Sequence, residues 1–335
     1  MRNFASSISN IFIALSTTSS ALLRFLRTWM LPIGMVTGAL SYFVYRAIPA
    51  LDDTHAAAMS AISVIQPMLL FAMLFLTFCK VDFHDLRPRR WHVWNLLIQI
   101  ACYALLSLLL ILVPDIPLRP AIEAIMLCLI CPTATAGAVV TGKLGGDVGG
   151  ITTYTILINL AVAIVMPTFI PLTNPHPGLD FSTSFFMIMG KVFPLLICPF
   201  IAAQLIRILL PKVHAFCISV KDLAFYIWAV ALTLAIAVSV RSLVNSSAST
   251  WCLIGIAVGS LASCVMQFAL GRKVGRRYDH PISAGQSLGQ KNTVFAIWAG
   301  YTFYDPVSCI AGGFYSIWHN TWNSIQLARH DKNSR

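Results

Sequence analysis

Long apolar stretches follow one another along nearly the whole chain of 335 residues. Each holds about 20 residues, enough for one helix to cross a hydrocarbon core of about 30 Å. The pattern predicts ten membrane spans. Their approximate bounds are 26–49, 56–79, 91–114, 120–143, 149–171, 183–209, 219–243, 251–271, 281–302 and 305–328.

Composition and charge place these spans in a membrane. The chain is 58% hydrophobic and only 10% charged, whereas about a quarter of the residues of a soluble domain are charged. The net charge of +11 raises the alternative of a nucleic-acid partner, but with ten spans 18 of the 23 Lys and Arg residues fall on one side of the membrane. Only Arg46, Arg119 and Arg241 fall on the other side, and Lys191 and Lys291 fall inside spans. The positive-inside rule therefore predicts cytoplasmic termini and no nucleic-acid partner.

Two interruptions stand at equivalent places in the chain. Ten spans form two sets of five, and because five is odd the second set is expected to be inverted relative to the first. The fourth span contains Pro132, which removes a backbone donor and should open the helix. The ninth contains the polar run from Gly285 to Thr293. Irregular polar backbone at membrane depth is tolerated where it is buried or lines a wet cavity, so the pair predicts a transport site. The alternative is that Pro132 only kinks a structural helix and the polar run is a re-entrant loop.

Lys291 lies inside the ninth span. A cation there is costly unless it is paired or faces water, so it indicates function. Glu123 is the only Glu in the chain, and the Asp residues cluster at span ends or in loops. We therefore expect Lys291 to meet carbonyls freed by the broken helices, to meet an anionic substrate, or to lose its proton; a purely structural role is the alternative.

Three segments carry a resemblance to the bile acid:sodium symporter family. The run from Cys131 to Ala136 resembles its Cys-Pro-Gly-Gly-Thr-Ala-Ser-Asn motif, and Ser287 to Asn292 is similar to its Glu-x-Gly-x-Gln-Asn motif. The run from Phe314 to Asn320 is similar to the Phe-Ser-x-Trp-His-Asn of the last helix. The resemblance implies an all-α polytopic fold of ten transmembrane helices, arranged as two inverted five-helix repeats, with broken helices 4 and 9 crossing.

The resemblance also implies a division into domains. A panel domain would hold spans 1, 2, 6 and 7, at 26–79 and 183–243. A core domain would hold spans 3 to 5 and 8 to 10, at 91–171 and 251–328. Residues 1–25 would form a cytoplasmic N-terminal segment, although they also have features of a signal peptide, and 329–335 a cytoplasmic tail.

Family members usually transport with two sodium ions, and most positions of the implied sodium ligands are substituted here. The Ser-Asn pair of helix 4 becomes Gly137 and Ala138, and a Ser of helix 5 aligns with Ile151. The bridging Glu aligns with Ser287 and the following Gln with Lys291. A site that has lost its carboxylate and gained an ammonium should repel a cation. Sodium is therefore doubtful, proton coupling is the alternative, and neither metal nor cofactor is expected.

The function expected from these features is secondary active transport of an organic anion, bile-acid-like or a smaller carboxylate or sulfonate, by alternating access. The alternative is a sensor or binding protein on the same fold with little or no transport; a passive pore and an enzyme are disfavoured. The membrane is expected to be the bacterial inner membrane, and oligomeric state stays open. The candidate substrate and ion residues are Gln99, Thr133, Thr135, Gly137, Ala138, Thr155, Ser287, Gln290, Lys291, Asn292 and Asn320.

Overall fold

The computed structural model describes residues 30, 32–82, 86–220 and 223–333, and this part of the chain is all-helical. Helix α1 covers 32–46, and a 3₁₀ helix at Pro49–Thr54 leads into α2. The first half continues with α2 (His55–Phe78), α3 (Arg90–Leu112), α4 (Arg119–Ile130), α5 (Ala136–Lys143) and α6 (Val148–Thr173). Next come α7 (Phe181–Leu196), α8 (Cys198–Leu209), α9 (Pro211–Ser219) and α10 (Leu223–Val244). The last four are α11 (Thr250–Arg276), α12 (Pro281–Gly289), α13 (Thr293–Phe303) and α14 (Ile310–Asn333), the last after a 3₁₀ turn at Pro306–Cys309.

Several of these helices are long and apolar enough to cross a membrane. Within the described residues five helices qualify by length and composition: α2 with its 3₁₀ turn, α3, α6, α10 and α11. The count is six if α7 and α8 are taken as one bent span. Large apolar side chains such as Leu105, Leu112 and Val265 are exposed on these helices. Apolar surface of this extent fits contact with lipid.

Two of the predicted spans are broken into short helices. The helices α4 and α5 hold 12 and 8 residues and are separated by residues 131–135. The helices α12 and α13 hold 9 and 11 residues and are separated by residues 290–292. At 1.5 Å per residue none of the four exceeds about 18 Å, too short to cross a bilayer alone. The second break is shorter than the polar run suggested, because residues 285–289 remain helical and buried against neighbouring helices.

The predicted span 183–209 is not one straight helix. It bends by 43° between α7 and α8. Pro199, in the first turn of α8, has no N–H for the carbonyl one turn earlier, and its ring would clash with that turn if the helix were straight. The short helix α9 then occupies much of the stretch before α10.

The helices α4 and α12 lie at the centre of the packing. Helix α4 contacts α3, α11, α13 and α14, and α12 contacts α3, α5, α6 and α11. Close approach of α11 and α12 depends on Gly271, where an added Cβ would lie 2.5 Å from the carbonyl oxygen of Ala284. The two broken segments are therefore held inside a shell of helices.

A buried carboxylate ties three helix ends together. Glu123, 1% exposed, accepts hydrogen bonds from Arg119 Nε at 3.1 Å and Asn174 Nδ2 at 3.0 Å. It also accepts from the backbone N–H of Asp305 at 3.0 Å and from Ser308 Oγ at 3.3 Å. These contacts join the start of α4, the end of α6 and the turn before α14, so the single Glu of the chain has a structural role.

The structure describes more of the C-terminal end of the chain than of the N-terminal end. The predicted N-terminal segment 1–25 and the start of the first predicted span lie outside the described residues. At the other end α14 continues to Asn333, so most of the predicted tail 329–335 extends the last helix.

Candidate functional site

The two helix breaks face each other and pair. Thr133 in the first break and Lys291 in the second form an isolated antiparallel β-bridge. Two backbone hydrogen bonds accompany it, from Ala134 N to Gln290 O at 3.0 Å and from Asn292 N to Pro132 O at 2.8 Å. Thr133 Oγ1 also donates to the carbonyl of Ser287 at 2.7 Å. Two segments 154 residues apart thus form one site with little exposed surface.

Lys291 directs its ammonium toward the end of α4. Its side chain is 1% exposed, and Nζ donates to the carbonyl oxygen of Leu129 at 3.2 Å. This carbonyl is among the last of α4, which have no partner within the helix. The titratable side chains near the Lys291 Nζ are the neutral thiols of Cys102, Cys128 and Cys131. Among the described side chains no carboxylate lies within ion-pair distance of it, so one carbonyl serves a group with three donors.

Gln99 satisfies the next two carbonyls of the same break. Its Nε2 donates to Ile130 O at 2.8 Å and to Cys131 O at 2.9 Å. Its Oε1 accepts from the hydroxyl of Tyr154 at 3.1 Å. Both hydrogens of the amide are therefore used on the protein's own backbone, and one acceptor site is occupied.

Gln267 and Tyr315 support the site and were not predicted from the sequence. Pro132 has no N–H to donate to Cys128 O, and Gln267 Nε2 donates to that carbonyl instead, at 3.1 Å. Gln267 also donates to the hydroxyl of Tyr315 at 3.0 Å, and this hydroxyl donates to Gly289 O at 2.8 Å. A Gln inside an apolar span is a signal that would have identified the first of these residues.

On α14 the contact with the breaks comes from His319. Its Nδ1 accepts a hydrogen bond from the backbone N–H of Lys291 at 3.4 Å. Asn320, the residue chosen from the sequence, is half-buried, and its Nδ2 donates to Ser316 O within its own helix at 2.7 Å. The structure therefore brings the neighbour of Asn320 to the site.

Three buried polar atoms at the second break have no hydrogen-bond partner among the described residues. They are Ser287 Oγ, Gln290 Oε1 and Asn292 Nδ2. The other amide atom of Asn292 is used, because its Oδ1 accepts from the N–H of Phe295 at 3.1 Å and caps α13. Unsatisfied polar atoms are costly in a protein interior. These three atoms lie within residues 287–292, so this stretch can form hydrogen bonds with water or a polar ligand.

The remaining predicted positions offer few side-chain oxygens. Gly137 and Ala138 have none, and an added Cβ at Gly137 would lie 3.1 Å from both Gln290 Oε1 and Ile151 Cδ1. Thr155 is buried, and its hydroxyl donates back to Ile151 O at 2.9 Å. The volume next to Gly137 is therefore already filled by neighbouring side chains.

The starts of the two C-terminal half-helices differ in access. Helix α13 begins among buried residues and is capped by Asn292. Helix α5 begins at Ala136, which is exposed, and is preceded by half-buried Ala134 and Thr135, with no side-chain cap. A helix N-terminus carries partial positive charge and unpaired N–H groups. The start of α5 is thus the accessible place at the breaks for a negatively charged group.

Long apolar helices surrounding a polar site of this kind indicate an integral membrane protein. A family model described as the Sodium Bile acid symporter family matches residues 67–250, more than half of the chain. The protein therefore belongs to the sodium bile acid symporter family, whose members are transporters and not enzymes. The matched range includes Gln99, the first break and Thr155. A comparison with curated proteins gives no match.

Proposed function

We propose that this protein is a secondary active transporter of an organic anion that works by alternating access without the two sodium ions usual in its family. The chain would cross the membrane ten times as two inverted sets of five, with both termini in the cytoplasm. The pairs α4–α5 and α12–α13 would each form one broken span. The core domain carrying them would move against a panel domain made of α1, α2, α7–α8 and α10.

The paired breaks with a buried ammonium carry this proposal. The two interruptions fall in the fourth span of each set, and transporters with inverted repeats bind their cargo where such discontinuous helices meet. A backbone opened at membrane depth needs partners. The Thr133–Lys291 bridge and the side chains of Gln99 and Gln267 provide them.

In the coupling hypothesis Lys291 stands where a sodium ion would stand. A sodium ion needs several oxygens and usually a carboxylate. Here the carbonyls of Leu129 and Ile130 already accept from Lys291 and Gln99, and Ser287 replaces the carboxylate. An ammonium a few Å away would repel the ion strongly in a poorly screened interior. Lys291 would act either as a fixed positive charge or as a proton carrier.

The substrate class follows from the charge at the accessible part of the site. The start of α5 at Thr135 and Ala136 presents the positive end of a helix. The buried ammonium of Lys291, which contacts Leu129 O on the other side of the first break, adds positive potential. A carboxylate or sulfonate would bind here, with Thr135 donating a hydrogen bond and Gln290 and Asn292 positioned deeper in the break.

Transport is tested in proteoliposomes that contain the purified full-length protein. A panel of organic anions is first screened for one that raises the unfolding temperature, and this compound is then radiolabelled. Saturable counterflow between an unlabelled internal pool and the labelled external pool is the expected result. Binding without any flux would contradict transport and favour a sensor on the same fold.

A charge variant at the start of α5 tests the substrate site. Ala136→Asp places a negative charge where the anion is expected, while an acidic residue in the first turn is favourable for the helix itself. We expect it to weaken anion binding by about tenfold or more, because two like charges roughly 5 Å apart repel by several kcal/mol in an interior of intermediate dielectric. The matched neutral variant Ala136→Asn should bind almost normally. Equal binding by both variants would exclude this site.

A further inference from the structure

The helix pair α11 and α14 has a groove of about 670 Å³ on its outer surface, which we call the α11–α14 groove. Its walls are apolar over most of its length, with Leu261, Val265 and Phe268 on α11 and Trp318, Trp322 and Ile325 on α14. Arg272, Lys273 and Arg276 line one end.

The basic end is strongly positive. Arg276 and Arg329 lie close enough to Arg272 to act on its charge, and the Arg272 guanidinium lies 5.9 Å from the centre of the Trp322 ring. No ion pair between described residues neutralises Arg272, Lys273 or Arg276. Trp beside basic residues is typical of the membrane interface, at the level of the lipid headgroups.

The groove has the length of one lipid leaflet. From Leu261 to Arg272 the helix rises about 16 Å at 1.5 Å per residue, close to half of a hydrocarbon core of about 30 Å. The apolar walls therefore match the acyl-chain region, and the cations match the headgroup region. A zwitterionic lipid such as phosphatidylcholine would bring a cation of its own to the basic end, and a small soluble anion would leave the apolar walls uncovered.

We infer that the α11–α14 groove binds an acidic phospholipid, with its phosphate at Arg272, Lys273 and Arg276 and its acyl chains along the apolar walls. Basic pockets between membrane helices are suited to such headgroups. This site is separate from the paired breaks, and neither the family match nor the proposed transport reaction requires it.

The groove is connected to the second broken segment. Arg272 Nη2 donates to Gln326 Oε1, which also accepts from Gln286 Nε2 at 3.5 Å. Arg272 also packs on α12, because an added Cβ at Gly285 would lie 2.6 Å from its Cγ. A bound headgroup would therefore hold α11, α12 and α14 together, so acidic phospholipid should stabilise the folded protein.

The test measures lipid binding to the purified full-length protein in a neutral detergent. Phosphatidylglycerol and phosphatidylcholine with identical acyl chains are titrated, and bound lipid is counted by native mass spectrometry alongside the unfolding temperature. Wild type should retain phosphatidylglycerol preferentially and unfold at a higher temperature with it. The double variant Lys273→Gln/Arg276→Gln should bind it about 30-fold more weakly, because each basic residue near a lipid headgroup strengthens binding by about fivefold.

Two further variants separate the groove from general surface charge. Ala269→Phe fills the groove and should abolish lipid retention, while Ala262→Phe, exposed on the same helix and outside the groove, should not. Arg277→Gln removes an exposed neighbouring charge and should have little effect. Equal retention of phosphatidylcholine, the same stabilisation by inorganic phosphate, or equal effects of Ala269→Phe and Ala262→Phe would overturn the inference.

Discussion

Replacing Lys291 with Met should remove the function of the site without unfolding the protein. Met has nearly the length of Lys but no charge. The variant leaves the Leu129 carbonyl without its donor, which lowers the free energy of unfolding by about 1 to 3 kcal/mol. It also relieves the burial of an ammonium that has one carbonyl partner, a cost of several kcal/mol. We therefore expect the free energy of unfolding to stay unchanged or to rise by about 1 to 4 kcal/mol.

The assay combines thermal unfolding in detergent with counterflow in proteoliposomes. For Lys291→Met we expect an unfolding temperature equal to or above that of wild type, together with loss of flux. Lys191→Met is the matched control, because Lys191 is exposed and its Nζ lies 5.9 Å from the centre of the Phe303 ring. It should change both measurements little. A fall of several degrees in the unfolding temperature of Lys291→Met with flux retained would refute the reasoning and assign Lys291 a structural role.

Three further variants test the packing around the site by thermal unfolding in detergent. Thr133→Val removes the hydrogen bond to Ser287 O between the breaks and should cost about 1 kcal/mol, within the range for polar contacts in membrane proteins, and reduce flux. Glu123→Gln breaks the ion pair with Arg119 and should lower the free energy of unfolding by about 2 to 3 kcal/mol. Breaking a fully buried ion pair costs roughly 3 to 5 kcal/mol, and the loss here is smaller because Arg119 is 25% exposed. Gly271→Ala places a methyl against a backbone carbonyl of α12 and should cost about 1 to 3 kcal/mol.

Each of these variants has a control in the same chain. Thr152→Val is the control for Thr133→Val, because it loses only a hydrogen bond within its own helix. Asp180→Asn is the control for Glu123→Gln, because Asn at this position still caps the start of α7. Gly190→Ala is the control for Gly271→Ala, because the added methyl has no atom within 4 Å. The packing account fails if a control loses as much stability as the variant it matches, or if Thr133→Val transports at the wild-type rate.

The sequence indicated both helix breaks because their causes are local. Pro132 removes a hydrogen bond whatever surrounds it. The polar run from Gly285 to Thr293 was predicted to interrupt the ninth span, but the helix continues to Gly289 and only residues 290–292 are non-helical, because neighbouring helices bury residues 285–289. The bend at Ile197 was missed, although Pro199 is a local cause of the same kind as Pro132.

The partners of the freed carbonyls were much harder to predict. Gln99 was expected at the site, but its use of both amide hydrogens on α4 depends on how α3 packs against α4. Gln267 and Tyr315 reach the site from α11 and α14, more than 100 residues after Cys128. Periodicity and composition indicate which residues are buried, whereas these contacts depend on the tertiary arrangement of the helices.

Uptake driven by separately imposed sodium and pH gradients tests the central claim most directly. The measurement uses the reconstituted full-length protein and its Lys291→Gln variant, with the anion identified by the stability screen. We predict that an inward sodium gradient leaves wild-type uptake unchanged and that Lys291→Gln loses the sodium-independent flux. Strong acceleration of wild-type uptake by the sodium gradient would contradict the assignment of Lys291 to the place of the coupling ion.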